Sequence, residues 1–178
     1  MTGATSETSV TRRPTGEFLA GIASTEPSPG SGAAGALALA LATSCALKAV
    51  RISLKHDPDN AELGRAAAQL EGIGRQAIAQ ADEDARHFAE LIAAMQRPHD
   101  SEAAATARER EITTVSRALT AIAEHLLHLG DDVARLVTGI APQIAPNMTN
   151  DVTAALALVE AAAAIQRANA AESREHVR

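Results

Sequence analysis

At 178 residues and 46% hydrophobic content the chain suits one domain with a real core, yet its only aromatic residues are Phe18 and Phe88 and alanine dominates. Alanine favours helices and their close approach, whereas sheets need the β-branched and aromatic residues that are scarce here, so the fold class is all-α. A net charge of -6, no basic run and almost no stacking side chains argue against nucleic-acid binding.

Residues 1–13 read as a disordered tail, with no basic-then-apolar plan of a signal peptide, and the cytoplasm is the expected location. The rest, 14–176, is expected to form a single helical domain. Pro14 to about Ser24 is a short amphipathic helix with Phe18, Leu19 and Ile22 on one face. Pro27-Ser28-Pro29-Gly30-Ser31-Gly32-Ala33-Ala34-Gly35 follows, a stiff turn joined to a small-residue run. Gly32 to about Leu54 is apolar on nearly every side, as a central helix must be. Lys48 and Arg51 cut its apolar run short of the ~20 residues that a bilayer requires, so no membrane span is expected. Cys45 within it reads as a buried, inert thiol.

Beyond the breaker His56-Asp57-Pro58-Asp59, a helix from about Asn60 to Gln96 carries the seam Leu63, Ala66, Leu70, Ile73, Ala77, Ala81, Asp84, Phe88, Leu91, Met95. Ser101 is a candidate N-cap for the next helix, whose seam from Ile112 through Leu119, Leu126 and Val133 to Ile140 has no polar member. Pro142 and Pro146 end it, and a last helix runs from near Asp151 to about Glu172. Long helices joined by short turns predict an up-and-down bundle of about five helices. Alanine buries little area, so sharing of faces in a homodimer is expected.

Three places break the apolar pattern. Asp84 is either a carboxylate balanced by an arginine where the bundle widens to solvent, or a group whose partial burial raises its pKa and suits it to proton transfer. Asp151 is either a helix-capping acid or part of a helix start that presents polar groups to a ligand. Gln166 and Asn169 continue an apolar stripe near a helix end. Asn169 lies ~27 Å along the helix from Asp151, so the two serve separate pockets or meet across a dimer, unless Asn169 merely marks a fraying turn. Gly30-Ser31-Gly32 opens a helix, either as a simple tight turn or as N–H groups that cradle an anion. His125 and His128 lack a matching third ligand and read as surface residues, so no metal site is expected. Arg51, Arg86 and Arg97 are candidates to meet a substrate carboxylate.

These landmarks, in this order, resemble the formiminotransferase-cyclodeaminase C-terminal family. Phe18-Leu19 followed by Pro27 to Ala34 is similar to its Phe-Leu and Pro-x-Pro-Gly-Gly-Gly segments, and Asp84-Ala85-Arg86-His87-Phe88 to its Asp-Ala-x-Ala-Phe. Asn147 to Val152 is similar to its Asn-x-x-Ser-Asp, and Asn169 to the first asparagine of its terminal pair. Ser31 stands where the family has glycine, Asn150 where it has serine, and Ser173 where it has the second asparagine. The resemblance implies an all-α homodimer that takes a tetrahydrofolate derivative as substrate, with no metal or redox cofactor required. It implies Asp84 and Asp151 as catalytic carboxylates and Pro29, Gly30, Ser31, Gly32, Asn147, Asn150 and Asn169 as substrate-binding residues. The expected reaction is hydrolysis of 5,10-methenyltetrahydrofolate to 10-formyltetrahydrofolate, since the chain carries no formiminotransferase domain. The alternatives are formiminotetrahydrofolate cyclodeamination, or a helical ligand-binding or partner protein without catalysis.

Overall fold

The computed structural model describes residues 9–175 and 177. Its helices are α1 (Thr15–Ile22), α2 (Ser31–His56), α3 (Ala61–Met95), α4 (Glu102–Ile140) and α5 (Thr149–Glu175), and no strand occurs among the described residues. Local chemistry sets the boundaries. The Asn60 side chain accepts from the Leu63 N–H at 3.0 Å to start α3, and the Ser101 hydroxyl accepts from the Ala104 N–H at 3.2 Å to start α4. Beyond the far end of α4, two short 3-10 turns at Ala141–Gln143 and Pro146–Met148 lead the chain into α5.

α2 packs against α3 on one side and α5 on the other, and α4 closes the square from the opposite corner against the same two helices. The seams read from sequence are the buried ones: Leu63, Leu70, Ala77 and Ala81 on α3 face Leu39, Ala46 and Val50 of α2, while Leu126, Val133 and Val137 come from α4. The α4 seam does have a polar neighbour, Ser116, which is fully buried. α2 and the Pro146–Glu175 stretch are each long and apolar enough to cross a bilayer, contrary to the expectation for α2; over half of the apolar window of α2 is buried within the bundle. Cys45, expected to be buried, is half-buried, packed against the edge of the main core.

The expected tail, residues 1–13, is described only from Ser9 onward. Residues 1–8 lie outside the described residues, but Val10–Arg12 form a 3-10 turn fixed to α3. The reason is one carboxylate: Asp82 accepts from the Ser9 hydroxyl at 2.8 Å, the Thr11 N–H at 3.1 Å and the Thr11 hydroxyl at 3.1 Å, and Val10 is buried beside it.

Because the long helices alternate in direction, the start of α2, the end of α3, the start of α4 and the end of α5 meet at one end of the bundle. The helices differ in length: α3 and α4 have 35 and 39 residues, α2 and α5 have 26 and 27. At 1.5 Å per residue, α3 and α4 are longer by about 15 Å. They project past the start of α2 as a two-helix arm with its own small core of Leu91, Val115 and Leu119, flanked by Phe88, Met95 and Ile112. Arg108 ties the arm together by donating to the Met95 carbonyl at 2.8 and 3.2 Å, which supplies partners to an otherwise orphaned helix end.

Candidate functional site

A cleft of about 270 Å³ lies at the step where four helices become two. Gly30, Ser31 and Gly32 form its rim at the start of α2. Asp84, Phe88 and Leu91 come from α3, Leu119 from α4, and Asn169, Glu172 and Ser173 from the end of α5. Its volume is just under the ~300–1,000 Å³ of small-molecule sites, which suits one end of a ligand rather than the whole of a long one.

Asp84 is only 7% exposed, and its carboxylate lies directly on Gly32. A Cβ at residue 32 would fall 2.1 Å from Asp84 Oδ1, so glycine is what allows this approach. The first N–H groups of a helix have no intrahelical acceptor, and Gly30 at the N-cap has no side chain to supply one. Asp84 approaches that turn from another helix, with its carboxylate against Gly32 and the Ala33 N–H facing it. Burial raises the Asp84 pKa from 3.8 to about 6, outweighing the lowering by the Ala33 N–H and by the charge on His87. A carboxyl group that exchanges its proton near neutrality thus faces the cleft.

Beside it, the Ser31 hydroxyl donates to Asn169 Oδ1 at 2.9 Å. This turns the Asn169 amide so that Nδ2, buried and without a partner among the described residues, remains available as a donor. Deeper in the bundle Gln166, 1% exposed, donates from Nε2 to the Gly32 carbonyl at 3.0 Å. Asp84 and Glu172 are the charged residues of the cleft lining among the described residues, and none of those lining it is cationic.

Gly30, Ser31, Gly32, Asp84 and Asn169 are therefore brought together. Pro29 is not among the lining residues; it is buried behind the rim against Gly21. Asn147, Asn150 and Asp151 lie at the opposite end of the bundle, where α5 begins. Asn147 and Asn150 are exposed, and Asp151 forms an ion pair with Lys48 at 3.3 Å, so within one chain this segment opens onto no shared cleft with Asp84. The three candidate arginines are engaged elsewhere: Arg51 with Glu71 at 2.6 Å, Arg86 with Glu83 and Glu90, and Arg97 with Glu111 at 2.6 Å. Sequence reasoning missed Glu172 as a cleft residue and noted Ser173 only as standing at the family's second asparagine; both line the cleft. Their signal was present, since both continue the polar end of α5 one turn beyond Asn169.

A family model for formiminotransferase-cyclodeaminase matches residues 14–171. Among solved structures, the chain is similar to formiminotetrahydrofolate cyclodeaminase from Thermotoga maritima, with a TM-score of 0.79 and 19% identity over 94% of this chain and 81% of that one. No curated protein matches. At that identity the structural likeness speaks for the fold, an all-α bundle, while the family match spans most of the sequence. The chain belongs to the formiminotransferase-cyclodeaminase family, whose association is with folate one-carbon enzymes.

Proposed function

We propose that the protein performs acid–base chemistry on the one-carbon unit held between N5 and N10 of a tetrahydrofolate, with formiminotetrahydrofolate cyclodeamination as the primary reaction. The observation that carries the reading is Asp84, a buried carboxyl group with a pKa of about 6 at the wall of a cleft that has no cationic side chain among the described residues. Formimino and methenyl carbons belong to amidinium-like groups that carry positive charge in the reaction, and an acidic, cation-free cleft favours such charge. In cyclodeamination N10 attacks the formimino carbon and loses its proton, the bond from that carbon to the departing nitrogen breaks, and ammonia leaves after protonation. Asp84 accepts and returns protons in these steps, and its pKa near neutrality allows both. Phe88, Leu91 and Leu119 form the apolar wall against which the ring system is held. The unpartnered Asn169 Nδ2 donates to an acceptor on the substrate.

A second reading, hydrolysis of methenyltetrahydrofolate, is favoured by Ser31. Its proton is committed to Asn169, so its oxygen lone pairs remain free to accept from a water that adds to the methenyl carbon. In that reaction the carbon–N5 bond then breaks and a proton is released, leaving 10-formyltetrahydrofolate. The Asn147–Asp151 segment joins either reaction only if a second copy of the chain brings it to the Asp84 cleft.

Purified protein incubated with 5-formiminotetrahydrofolate is expected to generate the near-ultraviolet absorbance of the methenyl product together with one equivalent of ammonia. Supplied instead with methenyltetrahydrofolate, decay faster than in buffer supports the hydrolytic reading. Rates equal to buffer in both assays overturn the proposal.

A further inference from the structure

Gln166 is the one large polar side chain among the most deeply buried residues, and its hydrogen bonding is half complete. Nε2 donates to the Gly32 carbonyl at 3.0 Å, while Oε1 is buried with no partner. A glutamine in an apolar interior is expected to use both ends, and an unpaired acceptor is costly. Space for it exists only because residue 35 is glycine, since a Cβ there would lie 2.6 Å from Nε2. Leucine or methionine would fill the same volume without an orphaned oxygen, so packing alone does not account for the amide.

The peptide group that Gln166 touches explains it. The Gly32 carbonyl and the Ala33 N–H are the two ends of one planar unit. That unit lies in the first turn of α2, where the backbone N–H groups have no intrahelical acceptor. Gln166 grips its carbonyl end from α5, and Asp84 on α3 packs its carboxylate against Gly32 with the Ala33 N–H facing it. The amide, the peptide and the carboxylate thus follow one another, and the peptide dipole that Gln166 polarises is the one that faces Asp84.

We propose that Gln166 is a positioning residue for Asp84: it holds the Gly32–Ala33 peptide against which the carboxylate packs, so that the peptide keeps its N–H face toward Asp84. The inference rests on the reading of Asp84 as the proton-transfer group for its functional meaning, but its geometry does not depend on the substrate. The charged groups around Asp84 are His87, Glu83 and Arg86 on its own helix and Glu172 from α5, whereas α2 and α4 contribute no charged side chain to the cleft. Gln166 therefore acts through a neutral peptide.

The test is a pH titration followed by NMR on the whole protein. In wild type, the Ala33 amide and the Gln166 side-chain NH₂ signals are expected to move with one midpoint, that of the Asp84 carboxyl carbon, and both movements are expected to vanish in Asp84→Asn. In Gln166→Met the Asp84 midpoint is expected to rise by about half a pH unit as the carboxylate loses a firmly held donor. A Gln166 NH₂ signal that ignores pH while Ala33 titrates overturns the proposal, as does a folded Gln166→Met with an unchanged midpoint. The wild-type measurement decides alone if Gln166→Met does not fold. A positive titration beside inactive folate assays leaves the positioning role standing and removes the proposed reaction.

Discussion

Asp84 is held in the folded chain at a cost that depends on pH. Its pKa is 3.8 ordinarily and about 6 when folded, so the unfolded chain gives up the proton first as pH rises. The native state then loses stability between about pH 4 and pH 6 and stays at the lower level above that range; a difference of about two pH units corresponds to about 3 kcal/mol. Asp84→Asn removes the titration. Relative to wild type it is expected to gain stability at pH 7.5 but not at pH 4, read by urea denaturation at the two pH values, and to lose the proposed catalysis. Equal stability differences at both pH values would show that Asp84 does not titrate in this range. The oddity of Asp84 was legible in the sequence because a carboxylate interrupts a seam of period three to four. Its partner was not, because the contact with Gly32 joins residues 52 apart and no local pattern encodes which turn of α2 an α3 carboxylate will reach. The separation of Asp151 from Asn169 was legible from helix rise alone, and the direction of α5 places Asp151 at the Lys48 end, away from Asp84.

At the scale of elements, glycines report how closely the helices approach. Gly35 lets α2 and α5 come together: a Cβ there would meet Gln166 Nε2 at 2.6 Å and Ile165 Cγ2 at 2.8 Å. Gly72, in α3, has nothing within 4 Å of the same position. Alanine is the better helix former by about 0.5–1 kcal/mol, so Gly72→Ala is expected to stabilise by about that amount. At Gly35 overpacking outweighs propensity, and Gly35→Ala is expected to destabilise by about 1–3 kcal/mol. Thermal or urea unfolding of the two variants checks the pair, and similar effects of the same sign would refute the close-approach account. The helices themselves were legible in the sequence because period, caps and breakers agree: Asn60 and Ser101 do start α3 and α4. The Ser9–Arg12 turn was not, since a Thr/Ser-rich stretch shows no sign of the distant Asp82 that takes its donors.

The whole molecule combines a four-helix block with the two-helix arm of α3 and α4. The block holds most of the buried apolar residues, whereas the arm relies on Leu91, Val115 and Leu119 and on Arg108 at the Met95 carbonyl. Opening free energy follows buried contact, so amide exchange in residues 102–115 and 88–95 is expected to be faster than in residues 63–81 and 122–137. Uniform protection along α3 and α4 would contradict this division. The cleft has walls from both parts: Gly32 and Asn169 belong to the block, and Leu91 and Leu119 to the arm. A molecule seated between them acts as a splint. Its affinity then includes the work of quieting the arm, and its arrival is readable as slowed exchange in the first turns of α4, well away from any atom it touches.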